Sequence, residues 1–310
     1  MATLASALRP AELATRLRAA RGRLLALADT LPADAWIGPY AENLNPPLWE
    51  LGHVAWFQEL WCLRLKAGRT PAESPLVAPL EPGRRPWVDW LYDSSRVPHA
   101  ARWQAPLPAR DDTLAYAAEV LEAVAEKISR GAFEPEFPYY AELSLHHETM
   151  HTEAWWMMWQ ARGLAPPQVP RLPQRQANRA LRFERGRVTL GSQRGDGFVF
   201  DNEKGAHAGA LAAFEIDARP VPNAEFAEFV EAGAPHPVYW RRDGGAWRLR
   251  RFERWIDLPR EEPVIHVSQI EAAAYAKWRG RSLPGAAQWV RAAQDASFQL
   301  GRCWEWTADA

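Results

Sequence analysis

Residues 145–153 read LHHETMHTE, and within them lies the pattern H-E-x-x-H. In a helix, His147 and His151 stand four residues apart and project from the same face, so one metal ion can bind both rings. In a zinc protease, Glu148 would be the general base. The pattern also fits other metals and other reactions, so its meaning depends on the chain around it.

Four amphipathic helices are predicted in this part of the chain, and residues 139–162 with the motif form the last of them. The first covers residues 11–29, where leucines recur at intervals of three and four. The second opens after a Pro-Pro pair and extends to Gly68. The third begins at Asp112 as its N-cap. Its apolar stripe is formed by Leu114, Ala118, Leu121 and Val124. With one long loop over residues 70–110, these helices indicate a helical bundle.

A proline-rich stretch follows the bundle. Residues 163–176, GLAPPQVPRLPQRQ, exclude both a helix and a regular strand ladder, so they mark the predicted domain boundary. Beyond it the chain has short β-type runs, RVTLGS, FVFD and FEID, and two short helical patterns near residues 222–232 and 270–279. We expect a helical domain over residues 1–164, a linker over 165–180 and an α+β domain with much irregular structure over 181–310.

The composition is that of an ordinary globular protein, with 47% hydrophobic and 24% charged residues. A net charge of −1 without a basic run provides no field for phosphates, which argues against a nucleic-acid partner. No apolar segment approaches the ~20 residues of a membrane span, and the N-terminus carries arginines where a signal peptide needs an apolar run. We therefore expect a cytoplasmic protein without a membrane partner.

A third metal ligand is expected from histidine or carboxylate, because Cys62 and Cys303 are too few for a cysteine site. His53, in the second helix, has aromatic and aliphatic residues at i−4, i+3, i+4 and i+7, so it faces the bundle interior. A single histidine there is more often a hydrogen-bonded core residue. Facing helices of a bundle can, however, bring ligands to one point. His53, His147 and His151 would provide three imidazoles with open coordination positions, which suit either zinc or iron.

A protease is disfavoured by the surroundings of the motif. The sequence lacks the H-E-x-x-H-x-x-G-x-x-H extension, and the third ligand comes from another bundle helix rather than from a segment near a cleft-forming sheet. His146 lies one residue off the ligand face, and we expect it at the surface or behind the ligands.

The stretches LGHVAWFQE and HHETMHTE resemble the two iron-binding signatures of the ergothioneine-type sulfoxide synthases. In the second half, FVFDNEKGAH, FEIDARPVPNAEFAEFV and WEWT look like the formylglycine-generating-enzyme-type domain that these synthases carry after the bundle. The resemblance covers nearly the whole chain in the family's order. It implies a DinB-like four-helix bundle followed by a formylglycine-generating-enzyme-like (C-type-lectin-like) α+β domain.

The resemblance also implies a reaction. In this family three histidines bind non-haem Fe(2+), here His53, His147 and His151, and the imidazole C2 of hercynine is joined to a chalcogen donor with O2. The partners would be small molecules: hercynine, a selenosugar or a thiol, and O2. The 17 tryptophans include candidates for binding the trimethylammonium group of hercynine, because aromatic faces attract such a cation.

The donor expected from the resemblance depends on two departures. Met150 stands where the ergothioneine branch typically has Gln, and the loop over residues 92–112 lacks that branch's paired arginines. A neutral donor needs no arginine clamp, so the chain looks like the selenoneine synthase branch, which takes a selenosugar. The candidate substrate residues are Met150, Asp93, Ser94, Ser95, Arg96, His99 and Trp304.

Family members continue beyond WEWT with a catalytic tyrosine, which we expect beyond Ala310, so the second domain is expected to lack its C-terminal part. Two alternatives stay open: an ergothioneine sulfoxide synthase that forms a C–S bond with γ-glutamylcysteine, and a non-catalytic metal-binding DinB-like module. Formylglycine generation is disfavoured, because it needs a cysteine pair and the second domain contains only Cys303.

Overall fold

Helices dominate the N-terminal half of the protein in this computed structural model, which describes residues 8–64, 82–169, 178–193 and 196–309. The helices are α1 (Pro10–Ala28), α2 (Pro47–Leu63), the short α3 (Val88–Tyr92), α4 (Arg110–Arg130) and α5 (Phe137–Arg162). The four long helices, α1, α2, α4 and α5, are those predicted from the apolar periodicity. No helix among the described residues combines the length and apolar character that a membrane span needs.

The central helix of this group is α2, which packs against both α4 and α5, as α1 also does. Because α2 has neighbours on several sides, most of its side chains are buried and it carries no narrow apolar stripe. By contrast, α1 buries the predicted stripe: Leu13, Leu17, Ala20, Leu24 and Leu27. Side chains from all four helices form one core, in which Leu17, Cys62, Val124 and Leu145 are members.

Three details of the predicted helices are wrong. The second helix ends at Leu63 rather than Gly68, and residues 65–81 lie outside the described part of the chain. The N-cap of α4 is Ala109. Asp112 lies in the first turn instead, where the positive end of the helix dipole stabilises its negative charge. Ala118 of the predicted stripe is exposed, because the buried face of α4 is centred on Ala117, Val120 and Val124 instead.

Short antiparallel sheets and three helices form the C-terminal half. The strands are β1 (Ala180–Phe183), β2 (Gly186–Leu190), β3 (His207–Leu211), β4 (Phe214–Asp217), β5 (Trp240–Asp243), β6 (Ala246–Arg251) and β7 (Arg254–Asp257). Strand β1 pairs with β4, β2 pairs with β3, and β5, β6 and β7 form a three-stranded sheet. The helices are α6 (Asn223–Glu231), α7 (Gln269–Trp278) and α8 (Ala286–Ala293), of which α8 was not predicted.

The chain divides into two compact units: Met1–Pro167 with Gln193–Lys204, and Gln168–Ser192 with Gly205–Ala310. The segment Gln193–Lys204 packs on α5, where the Tyr139 hydroxyl donates a hydrogen bond to the Val199 carbonyl at 2.9 Å. The strand predicted for FVFD is wrong, because this run lies in that segment without strand pairing and its last residue, Asp201, begins a 3-10 turn. The domain boundaries predicted from the sequence stay predictions, and residues 170–177 of the linker lie outside the described residues.

The fold class predicted from the sequence is confirmed: a helical bundle precedes an α+β region of short strands and much irregular structure. The α+β unit has two small cores. One contains Leu181, Phe183, Ala218, Ala292 and Phe298, and the other contains Phe226, Val230, Trp240, Leu249 and Tyr275.

Candidate metal centre

His53 lies on α2 and is only 5% exposed. Its ring stacks on Trp49 with centroids 4.8 Å apart, and its Nδ1 lies 2.8 Å from the carbonyl oxygen of Tyr92 at the end of α3. Because a carbonyl can only accept, Nδ1 carries the hydrogen and Nε2 keeps its lone pair. The short helix α3 therefore sets the tautomer of His53.

The two histidines of the motif approach His53 from α5. The ring centroids of His147 and His151 are 4.6 Å apart, and each lies 5.0 Å from the centroid of His53. One ring nitrogen from each of the three residues lies within 4.8 Å of the others, a cluster that can hold a metal ion. The helical spacing and the packing of α2 against α5 thus bring together the three residues predicted as ligands.

Two of the three histidines, His53 and His147, lie in surroundings that favour the neutral imidazole. Burial, with the nearby His151 charge, lowers the pKa of His53 to about 3. Burial also lowers the pKa of His147 well below its ordinary value, with contributions from His151 and His53. Neutral imidazole is the form that binds a metal. The cluster is therefore suited to an ion at neutral pH.

The alternative of a hydrogen-bonded core histidine was raised for His53, whose Nδ1 does have a partner, but the same description does not fit His147. Its Nδ1 is buried and has no hydrogen-bond partner among the described residues, and Phe57 stacks on its ring with centroids 3.7 Å apart. A buried polar atom without a partner carries a free-energy cost. A metal bound to a ring nitrogen would give this imidazole a partner, so the donor set fits a metal.

Glu148, the residue that would be the general base of a protease, is not available for that role. Its carboxylate is fully buried and accepts from Arg21 of α1, with Nε and Oε1 2.5 Å apart. The same guanidinium donates to the carbonyl of Ala117 at 2.6 Å. A carboxylate engaged in a buried ion pair with a guanidinium is not free to activate a water at the metal, which argues against the protease.

Both halves of the chain match known protein families. Residues 16–161 match the DinB superfamily, and residues 166–310 match the sulfatase-modifying factor enzyme 1-like domain. Three relatives are named hercynine oxygenase: those of Mycolicibacterium thermoresistibile (30% identical, covering 91% of this chain and 66% of the relative), Mycobacterium tuberculosis (30%, 91% and 69%) and Mycolicibacterium smegmatis (31%, 90% and 68%).

The chain belongs to the ergothioneine-type sulfoxide synthase family.

The chain spans about two thirds of the length of these family members. Its resemblance to the family, predicted from the two histidine stretches and the second-half runs, is confirmed.

The substrate residues predicted in the loop after α3 largely bind one another. Asp93 is buried and accepts from the backbone nitrogen of Ser95 at 3.0 Å and from its hydroxyl at 2.6 Å. Arg96 forms an ion pair with Asp93, with Nε and Oδ2 3.2 Å apart. Ser94 is exposed, and His99 Nε2 lies 2.7 Å from the carbonyl of Leu44. These contacts close the turn after α3, and contact with a substrate stays a prediction for this group.

Two residues next to the candidate ligands on α5, Met150 and His146, are partly exposed. Met150, the residue before His151, is half exposed. His146 is also partly exposed, and its ring lies 4.6 Å from that of Phe198 in the segment Gln193–Lys204. His146 therefore contacts the segment that packs on α5, as expected for a residue off the ligand face.

Trp304, the last predicted substrate residue, belongs to the second unit and is 83% exposed. It lines a cavity of about 650 Å³ within that unit, together with Cys303 and Glu305. Its predicted role in substrate binding stays a prediction.

Sequence reasoning missed Glu50 as part of the site, and it gave no role to Arg102 in the loop over residues 92–112. Glu50 Oε1 lies 3.3 Å from Nδ1 of His151, and the Arg102 guanidinium lies 4.1 Å from the centroid of the Trp49 ring. A signal for Glu50 was present, because a residue three before His53 in a helix shares its face. Arg102 offered no such signal, since its position depends on how the loop folds over α2.

Proposed function

We propose that this chain is a non-haem iron(II), O2-dependent enzyme that joins the imidazole C2 of hercynine to the selenium of a selenosugar. One observation carries the proposal: His53, His147 and His151 converge inside the bundle of a chain whose relatives are named hercynine oxygenases. The proposed substrates are small molecules, and the proposed compartment is the cytoplasm.

Three imidazole ligands leave coordination positions open, and iron(II) held there would supply the redox chemistry that uses O2. The stoichiometry of the reaction balances with one O2 per C–Se bond. One oxygen atom leaves as water with the C2 hydrogen of hercynine and the Se–H hydrogen of the donor, and the other oxygen atom stays bound to selenium. O2 thereby takes four electrons, two from forming the C–Se bond and two from oxidising selenium. The protein residues hold the rings: the Tyr92 carbonyl orients His53, and Trp49 stacks on it.

The choice of a sugar donor is supported by the partners of the loop arginines. Arg96 is paired with Asp93, and Arg102 donates to the Asn45 side chain at 2.7 Å while stacking on Trp49. A γ-glutamylcysteine donor brings carboxylates whose burial without a partner is costly, so its site needs guanidinium groups free to bind them. A neutral selenosugar makes no such demand.

The alternative is a C–S bond to γ-glutamylcysteine, and one observation favours it. Nε of Arg102 is buried and has no hydrogen-bond partner among the described residues. A donor carboxylate that reached this nitrogen would supply one.

The test is a competition assay under iron(II) and O2. Hercynine is offered with equal amounts of 1-selenoglucose and γ-glutamylcysteine, products are identified by mass, and O2 uptake is followed. We expect the hercynine–selenosugar conjugate to dominate. Dominance of the sulfoxide conjugate would restore the C–S alternative.

Metal content measured on the same preparation separates loss of chemistry from loss of the site. Replacing His53 by Ala should remove both the bound iron and the O2 uptake. Stoichiometric iron in the unsubstituted protein with no turnover of either donor would reduce the function to that of a metal-binding module.

A further inference from the structure

Glu50 lies one turn before His53 on α2 and is only 3% exposed. Its Oε1 is 3.3 Å from Nδ1 of His151 on α5, slightly longer than the usual N–H···O distance. A carboxylate oxygen is an acceptor, so this contact places the hydrogen on Nδ1 of His151. Nε2 of that ring then keeps the lone pair, as in His53.

A chain of contacts holds the Glu50 carboxylate in place. Arg102 donates from Nη1 to Oδ1 of Asn45 at 2.7 Å, and arginine can only donate, so the Asn45 oxygen must face it. The Asn45 amide nitrogen consequently faces Glu50 and donates to Oε1 at 2.9 Å. The Arg102 guanidinium is itself fixed over the Trp49 ring. The position of Glu50 is therefore set from outside α2.

The other oxygen of this carboxylate has no role in that chain. Oε2 of Glu50 is buried and has no hydrogen-bond partner among the described residues. Burying a carboxylate with an unsatisfied oxygen is costly, and an apolar side chain of similar size would avoid the cost. Packing alone does not account for a glutamate here, whereas the contact with His151 does.

We propose that Glu50 is a positioning residue of the metal centre, whose carboxylate accepts the Nδ1 hydrogen of His151 and directs Nε2 of that ring toward His53 and His147. The proposal rests on the metal centre of the proposed function. Partners on the second nitrogen of a metal-binding histidine fix its tautomer and raise its basicity, and their loss typically weakens metal affinity by about 10- to 100-fold. Tyr92 acts on His53 through a neutral carbonyl, and Glu50 acts on His151 through a charge.

Two substitutions separate charge from hydrogen bonding. Glu50→Leu removes both the acceptor and the charge, and Glu50→Gln keeps an acceptor of the same shape. The matched control is Glu59→Gln on the same helix. Glu59 is equally buried but accepts from the Tyr116 hydroxyl at 2.5 Å and from the Arg84 backbone at 2.6 Å. The control disturbs a buried glutamate of α2 without touching a histidine of the cluster.

The first measurement is a Co²⁺ titration with a competing chelator, read from the visible d–d absorption. We expect about a 10- to 100-fold loss of Co²⁺ affinity in Glu50→Leu, a smaller loss in Glu50→Gln and the unsubstituted affinity in Glu59→Gln. An unchanged affinity in both Glu50 variants would overturn the proposal. A loss in Glu59→Gln as large as in Glu50→Gln would also overturn it, since general destabilisation would then be the cause.

The second measurement is nitrogen NMR on the metal-free protein with labelled histidine. We expect His151 to carry its hydrogen on Nδ1 in the unsubstituted chain and to shift toward the other tautomer in Glu50→Leu. If the unsubstituted chain binds no Co²⁺, the metal centre fails, yet the tautomer still decides the role of Glu50. If it binds Co²⁺ and the tautomer of His151 is the same in Glu50→Leu, the metal centre stands and the role of Glu50 does not.

Discussion

Arg21 of α1 and Glu148 of α5 form an ion pair in the interior of the bundle, with both side chains almost fully buried. Glu148 is the acidic residue of the H-E-x-x-H pattern, and its partner comes from a helix that carries no histidine of the cluster. The pair therefore ties the motif helix to α1 and engages the Glu148 carboxylate in a contact between helices. The motif here supplies two candidate ligands and a structural anchor.

Breaking this pair should destabilise the bundle. Arg21→Met leaves the Glu148 carboxylate buried without a partner, which typically costs about 3–5 kcal/mol. The double variant Arg21→Met, Glu148→Leu should recover much of that loss, because no charge is left buried. Hydrogen exchange in peptides from α1 and α5 measures the unfolding free energy of this unit. Equal destabilisation in the single and double variants would contradict the expected coupling.

Substitution by alanine should change the stability of the protein in opposite directions at two helical glycines. A Cβ on Gly52 of α2 would lie 2.1 Å from the Tyr92 ring, whereas one on Gly22 of α1 would meet nothing within 4 Å. Gly52→Ala should cost roughly 1–3 kcal/mol through overpacking and should disturb the Tyr92–His53 hydrogen bond. Gly22→Ala should stabilise the protein by roughly 0.5–1 kcal/mol. Thermal unfolding of both variants checks the signs, and stabilisation by Gly52→Ala would contradict the packing of Tyr92 against α2.

Stability should fall with rising pH because of Glu305. Burial raises the pKa of this carboxyl to about 7, from 4.5 in an unperturbed chain. Between these values the folded protein keeps a proton that the unfolded chain releases. The free energy of unfolding should then decrease with pH across this window, by at most about 1.4 kcal/mol per pH unit. Urea titrations across the window measure the slope.

The control for this slope is a pair of substitutions in the same unit. Glu305→Gln should flatten the dependence, while Glu184→Gln, which changes an exposed carboxylate, should leave it unaltered. A slope that survives in Glu305→Gln would assign the effect to other groups.

The two cysteines should react with a thiol reagent at different stages. Burial raises the pKa of Cys62 to about 12 and that of Cys303 to about 11, so neither is a thiolate at neutral pH. Cys303 is partly exposed and should react slowly in the native protein, whereas Cys62 should react only on unfolding. Timed labelling followed by mass analysis of peptides gives both rates. Native-state labelling of Cys62 would contradict its position in the bundle core.

Local sequence was sufficient for the four long helices of the bundle and for choosing the candidate ligands. Apolar residues at intervals of three and four define a helix face regardless of what it packs against, and histidines four apart share a face in any helix. His53 could be added because its neighbours on the same face are apolar. Helix ends were less accurate, as at Gly68 and Asp112, because they depend on the chain beyond the periodic residues.

The sequence by itself determined a bundle followed by an α+β region and the three histidines, since these follow from periodicity within single elements. Only the tertiary structure decided that Arg21, 127 residues from Glu148, is its partner, and that Glu50, 101 residues from His151, contacts that ring. It also decided that Gln193–Lys204 packs on α5. Such pairings depend on which helix faces meet once the helices pack. A hydrogen bond between residues far apart in the chain produces no periodic pattern in the sequence from which it could be predicted.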